Sequence, residues 1–165
     1  MTYPEWSSDF DWALIRRKSG DFNVPAAIIA ATIQVESAGN TYAMRFEPGY
    51  RWTWQIGEWA NKIGMTYATM ETAQKTSWGL MQIMYGVALE HRFHGWPSEL
   101  AIPETGVHFG CMHLKQKYQK YGPDPAHTYA AYNAGSIRMT SGGFFENQKS
   151  VDRFMKFFRE LENID

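Results

Sequence analysis

The stretch NVPAAIIAATIQVESAG, residues 23–39, carries the signals of a complete helix. Asn23 is a residue type that often caps a helix N-terminus, and Pro25 lies where a first helical turn tolerates proline. The apolar run that follows has helical periodicity, and Gly39 is typical of the position just beyond a helix. The sequence therefore predicts a helix that begins near Asn23 and ends at Gly39.

Outward from this helix, most of the chain carries helical patterns and no convincing two-residue alternation. A first helix is predicted within residues 1–22, with Ser7, Ser8 or Asp9 as its cap and Gly20 as its stop. Residues 40–66 indicate loop with short helical pieces, and a very small β-hairpin there is compatible with the pattern. The remaining predicted helices cover 69–76, 80–93, 103–122, 124–134 and 147–162. The fold class is therefore all-α, as a single domain over residues 1–165.

Composition excludes several classes of protein. The chain has 165 residues and a formal net charge of −1, which argues against nucleic-acid binding as its main task. Cys111 is the only cysteine, so no internal disulfide can form. Aromatic residues make up 16% of the chain, a high content, and some of them are core residues. Part of this excess fits a cleft that stacks on flat ligands such as sugar rings.

The N-terminal sequence MTYPEWSSDFDW lacks the basic start and apolar run of a secretory signal. The longest strongly apolar stretch, 24–31, is far shorter than the roughly 20 residues of a membrane-spanning helix. We therefore expect a protein that is made soluble in the cytoplasm, without stable membrane insertion.

Glu36 is the first candidate for chemistry. Ile29, Ile33 and Glu36 share one face of the predicted helix. Partial burial and the negative end of the helix dipole both disfavour the ionised form of the Glu36 carboxyl group, so we expect a raised pKa for Glu36. A carboxyl group of that kind can act as a general acid near neutral pH. A helix-terminal glutamate without a role explains the same periodicity equally well.

Two further segments carry polar residues in unusual surroundings. SWGLMQI (77–83) places Gln82 in an apolar run, where a buried amide needs partners and a ligand hydroxyl is one option. AAYNAG (130–135) surrounds Tyr132 and Asn133 with small residues that permit close approach. Taken alone, each segment is more typical of helix packing near a capped end.

Four segments follow one another in this order: IQVES (33–37), SWGLMQI (77–83), IPETGVHFG (102–110) and AAYNAG (130–135). Together they make the chain resemble the soluble lytic transglycosylases. These peptidoglycan-cleaving enzymes are related to goose-type lysozyme, and the resemblance covers roughly residues 24–160. It implies a lysozyme-like domain. The segment EPGYRW (47–52) is similar to bacteriophage-encoded enzymes of this kind, endolysins or virion-associated proteins.

Residue by residue, the resemblance implies that Glu36 is the catalytic acid/base. It implies that Gln82 contacts a sugar and that Tyr132 lies near the catalytic glutamate. It also implies that Asn133 supports the turn or binds glycan. Glu146 is a looser match to a later supporting glutamate. The full set of implied binding and supporting residues is Ser37, Ser77, Gly79, Leu80, Met81, Gln82, Tyr132, Asn133 and Glu146.

The implied reaction is cleavage of the β-1,4 bond between N-acetylmuramic acid and N-acetylglucosamine without water. Glycosidases usually need two carboxylates. One suffices if it protonates the leaving oxygen and then deprotonates the sugar's own 6-hydroxyl, which closes a 1,6-anhydro ring. No metal and no cofactor are needed. A hydrolytic muramidase on the same fold and a non-catalytic wall-binding or virion structural module stay open as alternatives.

Residues 38–78 form an insert beside the expected cleft, longer than in many relatives. Its tryptophans Trp52, Trp54 and Trp59, together with Trp78, are expected to line that cleft. A surface insert packed by its own aromatic residues is the alternative. The insert also contains carboxylates. A second catalytic carboxylate from among them, which would make the enzyme a hydrolase, stays open as an alternative. We expect a monomer whose partner is the peptidoglycan glycan strand, delivered to the wall through a holin or on a virion.

Overall fold

The computed structural model describes residues 3–162, which contain eight α-helices and one three-stranded antiparallel sheet. The expectation of a mainly helical fold is confirmed, and the sheet is an addition to it. The chain divides into two compact units, residues 1–39 with 111–165, and residues 40–110. Within residues 3–162, none of the helices combines the length and apolar character needed to cross a membrane.

The first unit is built around helix α2. It contains α1 (Trp12–Phe22), α2 (Ala26–Ser37), the second part of α6 (Pro103–Tyr121), α7 (Pro125–Ala134) and α8 (Gln148–Leu161). All residues of α2 from Ala26 to Ile33 are buried. Helix α8 packs on α2 and on α7, and its buried residues Val151, Phe154 and Leu161 follow the predicted three- and four-residue spacing.

The junction between α1 and α2 differs from the prediction. Asp11 caps α1 by accepting a hydrogen bond from Leu14 N at 2.9 Å, so the predicted caps Ser7, Ser8 and Asp9 are wrong. The helix continues through Gly20 and ends at Asn23, whose φ of +52° is left-handed. Asn23 therefore terminates α1 and does not cap α2, because asparagine tolerates this conformation as well as the N-cap role.

The second unit contains β1 (Met44–Phe46), α3 (Ile56–Ile63), α4 (Tyr67–Gln74), β2 (Thr76–Trp78), β3 (Ile83–Met84), α5 (Tyr85–Glu90) and the first part of α6. The strand order is β1-β2-β3, with Arg45 opposite Ser77 and Trp78 opposite Ile83. A 3₁₀ turn at Pro97–Ala101 precedes α6. Buried side chains that include Trp59, Met70, Tyr85 and Leu100 form the core of this unit.

Two features of this unit differ from the sequence analysis. The very small hairpin that the pattern of 40–66 allowed is not formed there, because β1 pairs with β2, about thirty residues later in the chain. The predicted helix over 80–93 begins only at Tyr85. Gly79 and Gln82 have φ values of +72° and +47°, so the chain between β2 and β3 turns where a right-handed helix was expected.

The tryptophans of the 38–78 insert do not form one common surface. Trp59 is 5% exposed and lies in the core of the second unit, against the expectation that it lines a cleft. Trp54 and Trp78 are partly buried against that core, whereas Trp52 is 59% exposed. Most of the aromatic excess in this segment therefore stabilises the unit.

Candidate active site

Glu36 lies in the last turn of α2, where the helix emerges from the buried core and its side chains become half-buried. The helix stops because Ala38 and Gly39 have φ values of +51° and +79°. A Cβ atom on Gly39 would lie 2.8 Å from Cε1 of Phe10, so glycine permits the close approach at this end. The end of α2, and with it the depth of Glu36, is thus set by local packing.

Two side chains of α7 hydrogen-bond the Glu36 carboxylate. The Tyr129 hydroxyl donates to Oε1 at 2.8 Å, and Nδ2 of Asn133 donates to the same oxygen at 3.2 Å. Tyr129 and Asn133 are four residues apart, which places them on one face of the helix. One carboxylate oxygen of Glu36 is therefore held by two neutral donors.

The tyrosines around Glu36 keep their protons. Tyr129 is fully buried, and burial together with the nearby Glu36 charge raises its pKa well above the usual value for tyrosine. The pKa of Tyr132 is raised in the same direction, first by burial and then by Glu36. The Tyr129 ring stacks on Phe154 of α8, with centroids 4.5 Å apart, so the direction of its hydroxyl is fixed by packing.

A second asparagine stands behind Asn133. Nδ2 of Asn147 donates to Oδ1 of Asn133 at 2.9 Å and to the carbonyl oxygen of Ala130 at 3.1 Å. Asn147 immediately precedes α8, so this link joins the start of α8 to the donor side of the Glu36 site.

The turn between β2 and β3, in the second unit, brings Ser77 and Gln82 together. Oε1 of Gln82 accepts a hydrogen bond from Ser77 Oγ at 2.9 Å. Its Nε2 donates to the carbonyl oxygens of Ala43 at 2.9 Å and Gly79 at 3.0 Å. Both amide hydrogens of Gln82 are thus bound within the protein, and they hold the turn against the start of β1.

Gly79 in this turn cannot be replaced without movement. A Cβ atom on it would lie inside 3.0 Å of the Leu100 carbonyl oxygen, a separation that Cβ atoms essentially never show. Met81 is fully buried, and a Cβ on Gly110 would lie 2.6 Å from its sulfur. Leu80 is half-buried.

A family model for the transglycosylase SLT domain matches residues 13–149. The chain belongs to the transglycosylase SLT domain family. It is 33% identical to the soluble lytic murein transglycosylase of Escherichia coli strain K12 over an alignment of 95 residues, which covers 47% of this chain. The figures for the protein of the same name from Salmonella typhimurium strain LT2 are the same. This chain spans only 15% of the length of either relative.

Among solved structures, an inactive glutamate-to-glutamine mutant of the lytic transglycosylase Slt from Pseudomonas aeruginosa is similar in fold. The match has a TM-score of 0.55 and 20% identity, and it covers 95% of this chain and 23% of that one. The predicted fold family is therefore confirmed. The roles of the individual site residues stay predictions.

The predicted residues of this SLT domain fall into two groups. Within the first unit, Asn133 donates a hydrogen bond to Glu36, and the charge of Glu36 contributes to the raised pKa of Tyr132. The Ser37 hydroxyl bonds back to the Ile33 carbonyl oxygen at 3.2 Å, within α2. Glu146 lies 3.9 Å from Arg138 Nη1 in an exposed ion pair. The second group, Ser77, Gly79, Leu80, Met81 and Gln82, belongs to the other unit.

Sequence reasoning missed Tyr129 and Asn147. Tyr129 precedes Asn133 by four residues, so the helical periodicity of α7 could have identified it. Asn147 has no comparable local signal. Between residues 3 and 162, the structure has no group of three His, Cys, Asp or Glu side chains that could hold a metal ion.

Proposed function

We propose that this chain is a peptidoglycan lytic transglycosylase with Glu36 as its single acid/base. The observation that carries the proposal is the half-buried Glu36 carboxylate, bound at Oε1 by Tyr129 and Asn133 in a chain of the SLT domain family. The names of the relatives, which are murein transglycosylases, support the substrate class.

The proposed reaction begins with the protonated Glu36. Because Oε1 already accepts two hydrogen bonds, the proton resides on Oε2. It passes to the glycosidic oxygen as the bond from C1 of N-acetylmuramic acid breaks, and N-acetylglucosamine leaves with a free 4-hydroxyl. The N-acetyl carbonyl oxygen of the substrate stabilises the positive charge on C1.

The second step regenerates the acid. Glu36, now a carboxylate, removes the proton from the 6-hydroxyl of N-acetylmuramic acid, and that oxygen attacks C1. A 1,6-anhydro ring forms, no water is consumed, and Glu36 is protonated again. Hydrogen bonds from neutral donors stabilise the carboxylate between the two steps. Tyr132, with its raised pKa, stays uncharged beside it.

Contacts to the glycan are proposed for the segment Ser77 to Gln82. Since the Gln82 amide hydrogens are bound by Ala43 and Gly79, we assign its side chain to holding the turn. Oε1 already accepts from Ser77 Oγ, and its second lone pair can accept from a sugar hydroxyl. Ser37 and Glu146 are assigned supporting roles at the ends of α2 and at the start of α8. The action is at the bacterial wall, and the EPGYRW segment supports a bacteriophage origin.

The test is digestion of purified peptidoglycan followed by mass spectrometry of the muropeptides. The proposal requires anhydromuropeptides, and Glu36→Gln is expected to lower the rate at least about 100-fold, the ordinary contribution of a general acid. Products heavier by one water would establish a muramidase instead. Wall binding without cleavage by the wild-type chain would establish a non-catalytic module.

A further inference from the structure

Two asparagines form a chain of hydrogen bonds behind Glu36. The Asn147 NH₂ group donates both to the Ala130 carbonyl oxygen and to Oδ1 of Asn133, and the Asn133 NH₂ group donates to Oε1 of Glu36. An asparagine amide can be turned over, exchanging its donor and acceptor ends, with almost no change in shape. The ionised carboxylate only accepts and so favours the NH₂ end of Asn133, and a partner at the other end of the amide enforces or opposes that orientation.

The Ala130 carbonyl determines how that partner is oriented. A backbone carbonyl oxygen can only accept, so the Asn147 side chain must present its NH₂ group to Ala130. The same NH₂ group then donates its other hydrogen to Oδ1 of Asn133. With its oxygen bound in this way, Asn133 must turn its own NH₂ group toward Glu36.

The position of Asn147 in α8 supports a dedicated role. Asparagine at a helix N-terminus usually caps its own helix through the side chain. Asn147 occupies the N-cap position of α8, yet its side chain makes no capping bond there. Its side-chain NH₂ group donates to Ala130 and Asn133 of α7.

We propose that Asn147 is a positioning residue, which sets the orientation of the Asn133 amide and thereby keeps a hydrogen-bond donor on Glu36. The proposal rests on the proposed function of Glu36 for its kinetic consequence. A reversed Asn133 would place an oxygen against Oε1, where it repels the carboxylate formed between the two steps.

The decisive variant is Asn147→Asp. It keeps the shape and removes the NH₂ group, so Asn133 is expected to turn its own NH₂ toward the new carboxylate and its oxygen toward Glu36. The fold is expected to persist, because no capping bond is lost and a negative charge suits a helix N-terminus. We expect kcat to fall about ten-fold or more with KM within about two-fold, as for one lost hydrogen bond to a charged group.

Two further variants separate orientation from simple loss of contact. Asn147→Ala removes the link without reversing it and is expected to lower kcat less than Asn147→Asp. Gln148→Ala is the matched control, since it removes bonds to Phe145 N and Asp152 at the same helix start and leaves the asparagine chain intact. Its kcat is expected to match the wild type.

A double-mutant cycle tests whether Asn147 acts through Asn133. With Asn133→Ala in place, Asn147→Asp is expected to lower kcat no further. Additive losses, or a wild-type kcat for Asn147→Asp alone, would overturn the proposal.

Nuclear magnetic resonance gives a readout that does not need activity. Glu36→Gln is expected to shift the side-chain NH₂ signals of Asn133 strongly in the wild-type background, where these hydrogens face Oε1, and less in the Asn147→Asp background, where they face residue 147. Equal shifts in both backgrounds would refute the positioning role. If the wild type cleaves no peptidoglycan, the proposed function fails, and these signals still decide the role of Asn147.

Discussion

The Leu100 carbonyl oxygen lies against the α-carbons of two glycines, and this contact permits a quantitative test. An added Cβ on Gly79 would lie 3.2 Å from the Leu100 carbonyl carbon and closer still to its oxygen. An added Cβ on Gly106, in α6, would lie 3.4 Å from the same carbon, again with the oxygen inside 3.0 Å. Gly79 also has a φ of +72°, whereas Gly106 is helical.

Three alanine variants therefore separate two costs. Gly64 has a φ of +80° and open space around its Cα, so Gly64→Ala measures backbone strain alone, about 1 kcal/mol of unfolding free energy. Gly106→Ala measures the steric collision. The collision is expected to lower the unfolding free energy by about 1–3 kcal/mol, and the gain in helix propensity offsets up to about 1 kcal/mol of this loss. Gly79→Ala combines both and is expected to lower the unfolding free energy by about 3 kcal/mol.

The assay is urea denaturation followed by tryptophan fluorescence and far-ultraviolet circular dichroism. The order of destabilisation is expected to be Gly79→Ala first, with Gly64→Ala and Gly106→Ala each smaller. A Gly79→Ala protein no less stable than Gly64→Ala would refute the close approach to Leu100, because strain alone would then explain the loss.

The remaining predictions concern the site and the two cores. Tyr129→Phe keeps the ring on Phe154 and removes the donor to Glu36, so kcat on peptidoglycan is expected to fall about 10- to 100-fold with a small change in Tm; unchanged kcat would exclude a role for the hydroxyl. Burial raises the pKa of Cys111 from 9.0 to about 12, so the thiol deprotonates less readily in the folded state than in the unfolded state. The unfolding free energy is therefore expected to fall as pH rises above about 9, by up to about 1.4 kcal/mol per pH unit. Alkaline urea titration of Cys111→Ala, which should lose this slope, checks the assignment. Trp59→Ala is expected to cost about 3–5 kcal/mol of unfolding free energy and Trp52→Ala no more than about 0.5 kcal/mol, and equal losses in urea titrations would contradict the burial difference.

Where local chemistry determines an element, the sequence predicted it. Helix α6 begins at Pro103 and ends before Gly122, and Asp124 caps α7 by accepting from His127 N at 2.8 Å. Proline, glycine and aspartate act over three or four residues, which is the range that a sequence pattern samples. The position of Glu36 at the end of α2 followed from the same kind of signal.

Where a distant partner determines the backbone, the sequence prediction failed. The left-handed φ of Gln82 accompanies a hydrogen bond to Ala43, thirty-nine residues earlier, and the β1–β2 pairing spans a similar distance. No property of the run LMQIM itself distinguishes this turn from a helix. The candidate site shows the same limit, because the motif identified Glu36 and Asn133, whereas Asn147 became visible only when α8 was packed on α7.

The discontinuity of the first unit has a consequence for synthesis on the ribosome. All residues of the second unit have been made once residue 110 has emerged, whereas the first unit needs residues on both sides of it. The donors of Glu36 on α7 lie more than ninety residues downstream of it, and α8 follows α7. During translation, which proceeds from the N-terminus at about 5–20 residues per second, the nascent chain carries the glutamate for several seconds without its donors. The two hydrogen bonds to Glu36 can form only after α7 has been made, and the link from Asn147 only after the start of α8 has been made.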